Sequence, residues 1–323
     1  MVLVFFFESR SKTATAGSME TTLCNMDDTS LRSAATTTPS TTTTSAAALV
    51  DGLLSPTIPP PLDGLEDVTV QPLRSPRAFR NAIDVIFRQW EGGSHEEYLI
   101  FSGVDRELLE KIDALHIRCA RLEHHPDGRL LIVKVMPSTV HETLHVILNR
   151  EIMFKARDMG LGQELKPVGG SRYNGRYSAK EADSALKPKS LRRGKDAWPT
   201  IVIEAGVSER LMRLRTDARW WLSNSDGEVK IVVILCFYRN TRTILVEVWQ
   251  MRPTQREIRT RVIMTDVPTR TQSIELGAGV VTGMLTIPFE DVMLRDAAGP
   301  HEQDFVFTAQ ELAGFYAEVW EEA

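Results

Sequence analysis

The stretch that most constrains the fold is the apolar run Ile201-Val202-Ile203, which lies between Pro199 and Gly206. Apolar and polar residues do not alternate in this run, which is typical of a strand buried on both faces of a sheet. A helical pattern precedes it at residues 138–158, and another follows it after Ser208. A buried strand flanked by helices predicts an α/β (α+β) fold in which helices pack on a mixed β-sheet.

Composition divides the chain into a tail and one domain. Residues 1–75 are dominated by Thr, Ser, Ala and Pro, as in AATTTPSTTTTSAAA. Such a segment buries too little apolar surface to offset the entropy lost on ordering, so we expect it to be disordered. The chain as a whole is 42% hydrophobic and 25% charged, which are ordinary globular values. We therefore expect residues 76–323 to form a single α/β domain.

Charge and cysteine content narrow the class of protein. The formal net charge of −5 argues against general coating of nucleic acid, although it permits a local basic groove. Three widely separated cysteines, Cys24, Cys119 and Cys236, indicate a reducing compartment, so we expect an intracellular protein, cytoplasmic or nuclear. The sequence has no long apolar run, so we expect no membrane span.

Two further features have both a functional and a structural interpretation. The basic run from Lys187 to Lys195 can contact a phosphate backbone or act as a nuclear localisation patch, but it can also be a solvated loop. The pair Trp220-Trp221 can stack on bases. Its helical spacing beside Leu222 favours a place in the core instead.

The segment VHETLHV, residues 140–146, contains the H-E-x-x-H pattern of zinc proteases, with His141 and His145 one helical turn apart. A zinc site needs a third protein ligand, and the usual downstream histidine is absent because Glu151 occupies its position. Glu142 also lies three residues after Thr139, which is the spacing of a capping box. The pattern therefore favours a capped core helix, and we do not expect bound zinc.

A second set of acids lies on the predicted strands. Asp183 closes the segment Lys180-Glu-Ala-Asp, and Glu204 ends the buried run described above. An uncompensated carboxylate at the end of a buried strand is costly, and Mg²⁺ shared by the two acids would remove that cost. A bound Mg²⁺ would also polarise a phosphodiester and activate water. The alternative is an ion pair between Glu204 and an arginine of the next helix, and it stays open.

At this point the sequence resembles a known family. The order of a helix, then EAD, then WPTIVIEAGVSE, then LRTDARWWLSNSDGEVKIV resembles the restriction-endonuclease-like branch of the PD-(D/E)XK nuclease superfamily. Within that branch the phrase is similar to fungal proteins. The resemblance covers about residues 137–250 and implies a restriction-endonuclease-like core there.

The resemblance also implies roles for single residues. Asp183 and Glu204 would be the catalytic, metal-binding acids, and Glu142 on the preceding helix would be an accessory metal-binding acid. The family's lysine belongs two residues after the strand acid, where this chain has Gly206. Arg215 is the candidate catalytic substitute, although an arginine is a poor proton-transfer group. Arg219 and Lys180 are alternative substitutes.

These expectations leave three functions to compare. The first is a Mg²⁺-dependent nuclease that hydrolyses phosphodiester bonds of DNA or RNA. The second, which the missing lysine favours, is a catalytically degenerate protein that binds nucleic acid or another partner on the same fold. A zinc metalloprotease is the third. The sequence leaves open whether the protein is an enzyme and what its oligomeric state is.

Overall fold

A computed structural model describes residues 59–94, 96–136, 139–207, 210–258 and 261–321 of the chain. Its helices are α1 (Pro76–Glu91), α2 (Arg106–Asp113), α3 (Thr139–Asp158), α4 (Leu211–Asn224), α5 (Phe289–Met293) and α6 (Ala309–Glu321). Its strands are β1 (Val70–Pro72), β2 (Tyr98–Ser102), β3 (Ala120–His125), β4 (Leu130–Val135), β5 (Leu165–Pro167), β6 (Arg172–Asn174), β7 (Ala179–Glu181), β8 (Ser184–Pro188), β9 (Ile201–Val207), β10 (Ile231–Tyr238), β11 (Thr243–Ile258), β12 (Arg261–Gly277), β13 (Val280–Val281), β14 (Leu285–Ile287) and β15 (Phe305–Phe307).

The larger of the two main sheets is built around β9. Its strand order is β13-β12-β11-β10-β9-β8-β5, with β9 parallel to β10 and antiparallel to β8. Ile201, Ile203 and Ala205 of β9 pack in the cluster that includes α3 and α6, while Val202 packs with α4 on the opposite face. The predicted strand, buried on both faces, is confirmed, and so is the mixed α/β fold class with helices flanking a mixed sheet.

The second sheet precedes the first in the chain and has the order β1-β2-β4-β3-β7-β6. Helices α1 and α2 cover one of its faces through a buried cluster that includes Phe79, Phe101 and Val133. Strands β3 and β4 form an antiparallel hairpin, and the positive backbone angle of its turn falls on Arg129 (φ 47°).

Three of the described helices begin at capped ends. Ser75 accepts a hydrogen bond from the Ala78 amide at 3.2 Å, and Asp105 accepts one from the Leu108 amide at 2.9 Å. Thr308 and Glu311 form the reciprocal bonds of a capping box before α6. Ser208, which precedes the predicted second helix, lies outside the described residues.

The boundary between tail and domain lies earlier than the sequence predicted, as far as the described residues show. Leu65 is buried, and β1 pairs in parallel with β2, although both precede Ser75. These few apolar residues are separated by prolines and polar residues, so they have no periodicity that reveals a strand. The greater part of the predicted tail, residues 1–58, lies outside the described residues.

A buried ionic network joins the second sheet to α4. Lys180 of β7 contacts Glu123 at 2.7 Å and Asp217 at 2.9 Å, and Arg213 of α4 bonds to the same two carboxylates. Such pairs cost desolvation, but their loss on one side is strongly destabilising. The network therefore fixes how β3 and β7 lie against α4, next to the predicted acids.

Among the described helices, none combines the length and apolar character needed to cross a membrane.

Candidate functional site: a buried Asp–Glu–Lys centre and its groove

The predicted acids come together around a lysine that the sequence analysis did not select. Lys134 lies on β4, in the apolar run LLIVKVM, and its side chain is 6% exposed. Its Nζ lies 2.6 Å from Asp183 Oδ2 and 3.7 Å from Glu204 Oε2, and it also donates to the carbonyl of Ala205. A lysine thus completes an Asp–Glu–Lys centre, although it comes from the second sheet and not from the strand that carries Glu204.

Asp183 lies between β7 and β8, beside the end of β9. Its Oδ2 accepts a hydrogen bond from the Ala205 amide at 2.9 Å in addition to the contact with Lys134. Burial is the largest single effect and acts to raise the pKa of Asp183, but the ammonium of Lys134, together with smaller effects of further neighbours such as Arg121, outweighs burial and holds this pKa well below its usual range. Asp183 is therefore a carboxylate at neutral pH, and its Oδ1 has no hydrogen-bond partner among the described residues.

Glu204 points to the α4 face of the sheet because it follows Val202 at the strand period of two. Its Oε1 accepts a hydrogen bond from the Trp221 indole at 2.6 Å. Burial, and next the charge of Asp183, raise the pKa of Glu204 above its usual range. The alternative interpretation, an ion pair with an arginine of α4, is not formed among the described residues, because Lys134 and Trp221 contact the carboxylate of Glu204 instead.

A third acid, Glu97, lies beside this centre and was not expected from the sequence. It directly precedes β2, its carbonyl accepts a hydrogen bond from the Val135 amide at 2.7 Å, and it is fully buried. Burial raises the pKa of Glu97 to about 8, while Lys134 acts to lower it. Neither carboxyl oxygen has a hydrogen-bond partner among the described residues.

The H-E-x-x-H residues lie on the first turns of α3, next to the same centre. His141 donates from Nε2 to the Ala205 carbonyl at 3.0 Å, and its pKa is lowered by burial to about 3, so it is neutral. His145 contacts Ser184 Oγ at 2.9 Å through Nδ1 and Glu142 at 3.4 Å through Nε2. The possible ligand atoms of these three residues lie within 4.8 Å of one another.

Glu142 does not reach the two predicted acids directly. Its side chain is 46% exposed and contacts His145, while His141 lies 3.5 Å from Asp183 Oδ2. The accessory acid of the prediction is thus separated from the centre by the imidazoles. Helix α3 begins at Thr139, and the capping box of Thr139 with Glu142 stays a prediction.

Arg215 and Arg219 lie away from the pair. Arg215 forms a two-point ion pair with Glu247 of β11, at 2.6 and 3.1 Å, and Arg219 contacts Asp63 at 3.4 Å. Lys180 lines the same small cavity as Glu204 but forms its ion pairs within the network described above. The structure therefore brings Asp183 and Glu204 together, brings neither arginine to them, and pairs Lys180 with other acids.

The other sequence candidates are structural. Trp220 and Trp221 are buried and meet edge to face at 5.0 Å, which agrees with the core interpretation. Within the basic run, Lys187 is buried and donates to the carbonyls of Gly194 and Ala197. Arg192 pairs with Glu228.

The oxygens of the centre form a donor set that suits a hard cation, with two carboxylates and one carbonyl converging. The ammonium of Lys134 already binds these oxygens, however, and the cavity beside Lys134 and Glu204 has a volume of about 10 Å³. Mg²⁺ binds at about 2.1 Å and usually keeps several waters. The residues as arranged do not fit Mg²⁺, because the ammonium of Lys134 occupies the place where its oxygen ligands converge.

A groove of about 530 Å³ opens beside the centre, between the second sheet, α3 and the loop before β6. Asp183 and Ser184 form its inner wall, and Arg118 and Arg121 line its side. Arg121 is held in place because its Nε donates to the Ala182 carbonyl at 3.0 Å. The groove therefore connects the buried centre to a wall that carries fixed positive charge.

Lys134 was the residue that sequence reasoning should have noticed. A lysine within a run of buried strand residues is costly unless an acid meets it, so LLIVKVM signals a buried ion pair. Glu97 has no comparable signal, because it follows Glu96 in a polar segment before β2.

Comparison with known proteins adds a structural likeness. The chain matches no family model, and no curated protein sequence matches it. Among solved structures it is similar to a candidate nuclease of the DUF820 family from Anabaena variabilis, with a TM-score of 0.35 and 11% identity. The match covers 60% of this chain and 90% of that one. Conclusions about function therefore rest on the geometry of this chain's own residues.

Proposed function

We propose that this protein binds single-stranded nucleic acid on a nuclease-like α/β core, through the groove beside Asp183. The observation that carries the proposal is the charge balance of the groove wall. Arg172 pairs with two carboxylates that line the groove, Asp113 at 2.7 Å and Glu181 at 2.8 Å, and offsets one of their two charges, while Lys134 offsets the charge of Asp183. Arg118 and Arg121 also line the groove, and no described carboxylate forms an ion pair with either, so these four cations outnumber the three carboxylates by one.

The size and the shape of the groove support a strand rather than a duplex. A volume of about 530 Å³ lies within the range of roughly 300–1,000 Å³ that is usual for small-ligand pockets. It thus holds a nucleotide-sized part of a chain. Gly170, with a φ of 70°, and Gly169 form one edge of the groove, where a ligand backbone can approach closely.

The two arginines are expected to carry most of the phosphate binding. Replacing both in an Arg118→Ala/Arg121→Ala variant should weaken binding of a labelled single-stranded oligonucleotide by about tenfold or more. Since each phosphate contact contributes about 0.7 to the logarithmic salt slope for single strands, the slope should flatten by about 1.4. Fluorescence anisotropy across a salt series, with EDTA present, measures both quantities.

The matched control is Arg106→Ala, because Arg106 is an exposed arginine of α2 whose contact is an exposed pair with Glu110. It should leave both affinity and slope unchanged. Equal effects of the control and the double variant would show that binding is not located in the groove. Absence of any binding by the wild-type chain at low salt would overturn the proposed function itself.

A further inference from the structure

We propose that Lys134 is a built-in cation that replaces the divalent metal of the Asp183–Glu204 centre, so that the chain binds nucleic acid without cutting it. The inference rests on the proposed function, which is nucleic-acid binding on a nuclease-like core. Its test measures metal binding, however, which nucleic-acid binding in the groove does not require. The two proposals can therefore fail separately.

The contacts of the Lys134 ammonium support the replacement. Nζ lies 2.6 Å from Asp183 Oδ2, donates to the Ala205 carbonyl and lies 3.7 Å from Glu204 Oε2. Two carboxylates and a carbonyl are oxygen ligands of the kind that Mg²⁺ takes in proteins. A metal ion at about 2.1 Å from the same oxygens would nearly coincide with Nζ, so metal and ammonium are alternatives.

Burial holds the Lys134 ammonium at this position. The side chains of Lys134, Asp183 and Glu204 are 6%, 0% and 2% exposed. Lys134 is fixed on β4, where it pairs in register with Arg121 on one side and Tyr98 on the other. On the Glu204 side the cavity next to Lys134, at about 10 Å³, is no larger than one water requires, so a hydrated cation has no space there, and the open groove lies on the Asp183 side.

Two further hydrogen bonds hold carboxylate oxygens of the centre, while Asp183 Oδ1 has no hydrogen-bond partner among the described residues. Asp183 Oδ2 accepts from the Ala205 amide, and Trp221 holds Glu204 Oε1. A lysine that assists a metal ion would contact the attacking water or the phosphate beside that metal. Lys134 instead contacts the same oxygens that would bind the metal. This contact distinguishes the proposal from one in which Lys134 is a catalytic lysine supplied from a new position.

The test is Mn²⁺ binding by the full chain, measured by isothermal titration calorimetry and by thermal shift. The wild type should show no stoichiometric Mn²⁺ binding. Lys134→Met removes the ammonium while keeping the length of the side chain, and it should gain one Mn²⁺ site with an affinity about tenfold or more above the wild-type background. Adding Asp183→Asn to Lys134→Met should abolish that gain.

Lys187→Met is the matched control, because Lys187 is also a buried lysine but donates to backbone carbonyls. It should gain no Mn²⁺ site. Stoichiometric Mn²⁺ binding by the wild type that is lost in Glu204→Gln would overturn the proposal. Mg²⁺-dependent nicking of plasmid DNA by the wild type that is lost in Lys134→Met would overturn it too, in favour of a catalytic lysine. If Lys134→Met does not fold, the wild-type measurements still decide.

Discussion

Asp183→Asn is expected to destabilise the protein by about 3–5 kcal/mol, because it leaves the buried ammonium of Lys134 without its partner. Asp183 is also the acceptor for the Ala205 amide at 2.9 Å, so the substitution disturbs a second buried bond. The free energy of unfolding from urea denaturation, followed by circular dichroism, gives the effect. A change below about 1 kcal/mol would contradict the buried pair.

The matched control is Asp127→Asn, since Asp127 lies in the exposed β3–β4 turn and tolerates Asn. It should change the free energy of unfolding by less than about 0.5 kcal/mol. A double variant, Lys134→Met/Asp183→Asn, should be less destabilised than the sum of the single variants, because removing both charges leaves neither one uncompensated. Additive losses would mean that the two side chains do not form an energetic pair.

The same pair shows what could be predicted from sequence. The run Ile201-Val202-Ile203 predicts β9, and Asp183 before β8 meets Glu204 within β9 because Ser184 pairs with Ile203 in an antiparallel register. Local pattern therefore predicts the strand, while the meeting of Asp183 with Glu204 depends on the register between β8 and β9. It does not predict their cation, because Lys134 is 49 residues before Asp183 and reaches it only through the packing of two sheets.

Arg215 illustrates the opposite difficulty. It follows Glu204 closely in sequence and lies on the next helix, so proximity along the chain made it a candidate. On a helix such as α4, however, a shift of a few positions along the sequence changes the direction in which a side chain points, and therefore the neighbour that it contacts. Trp221 reaches Glu204, whereas Arg215 reaches Glu247 on β11, a strand whose position depends on sheet order rather than on local pattern.

Stability is expected to fall as the pH rises from about 5 to about 8, because the interior around Lys134 holds more carboxyl groups than cations. Its buried carboxyl groups outnumber its buried cations by two; the acids are Glu97, Glu123, Asp183, Glu204 and Asp217, and the cations are Lys134, Lys180 and Arg213. Two of these acids, Glu97 and Glu204, have raised pKa values. Protons bound to Glu97 and Glu204 therefore remove this excess of negative charge.

Glu97 allows the clearest test of this interior protonation. Its pKa rises from 4.5 in the unfolded chain to about 8 in the fold, so the folded state binds more protons between these values. The stabilisation is complete below about pH 4.5 and is lost as the pH rises through about 8, at up to about 1.4 kcal/mol per pH unit. The charges that act on it are Lys134, Asp183, Arg210 and Glu96.

Glu97→Gln should therefore flatten the fall in stability between pH 5 and 8, and at pH 8 it should be more stable than the wild type. The reason is that Gln mimics the neutral acid and never has to ionise in the interior. Urea denaturation at a series of pH values measures the slope, and Glu91→Gln, at an exposed position of α1, should reproduce the wild-type profile. A Glu97→Gln profile parallel to that of the wild type would show that Glu97 is already charged at neutral pH, and that Lys134 then balances more acids than Asp183 alone.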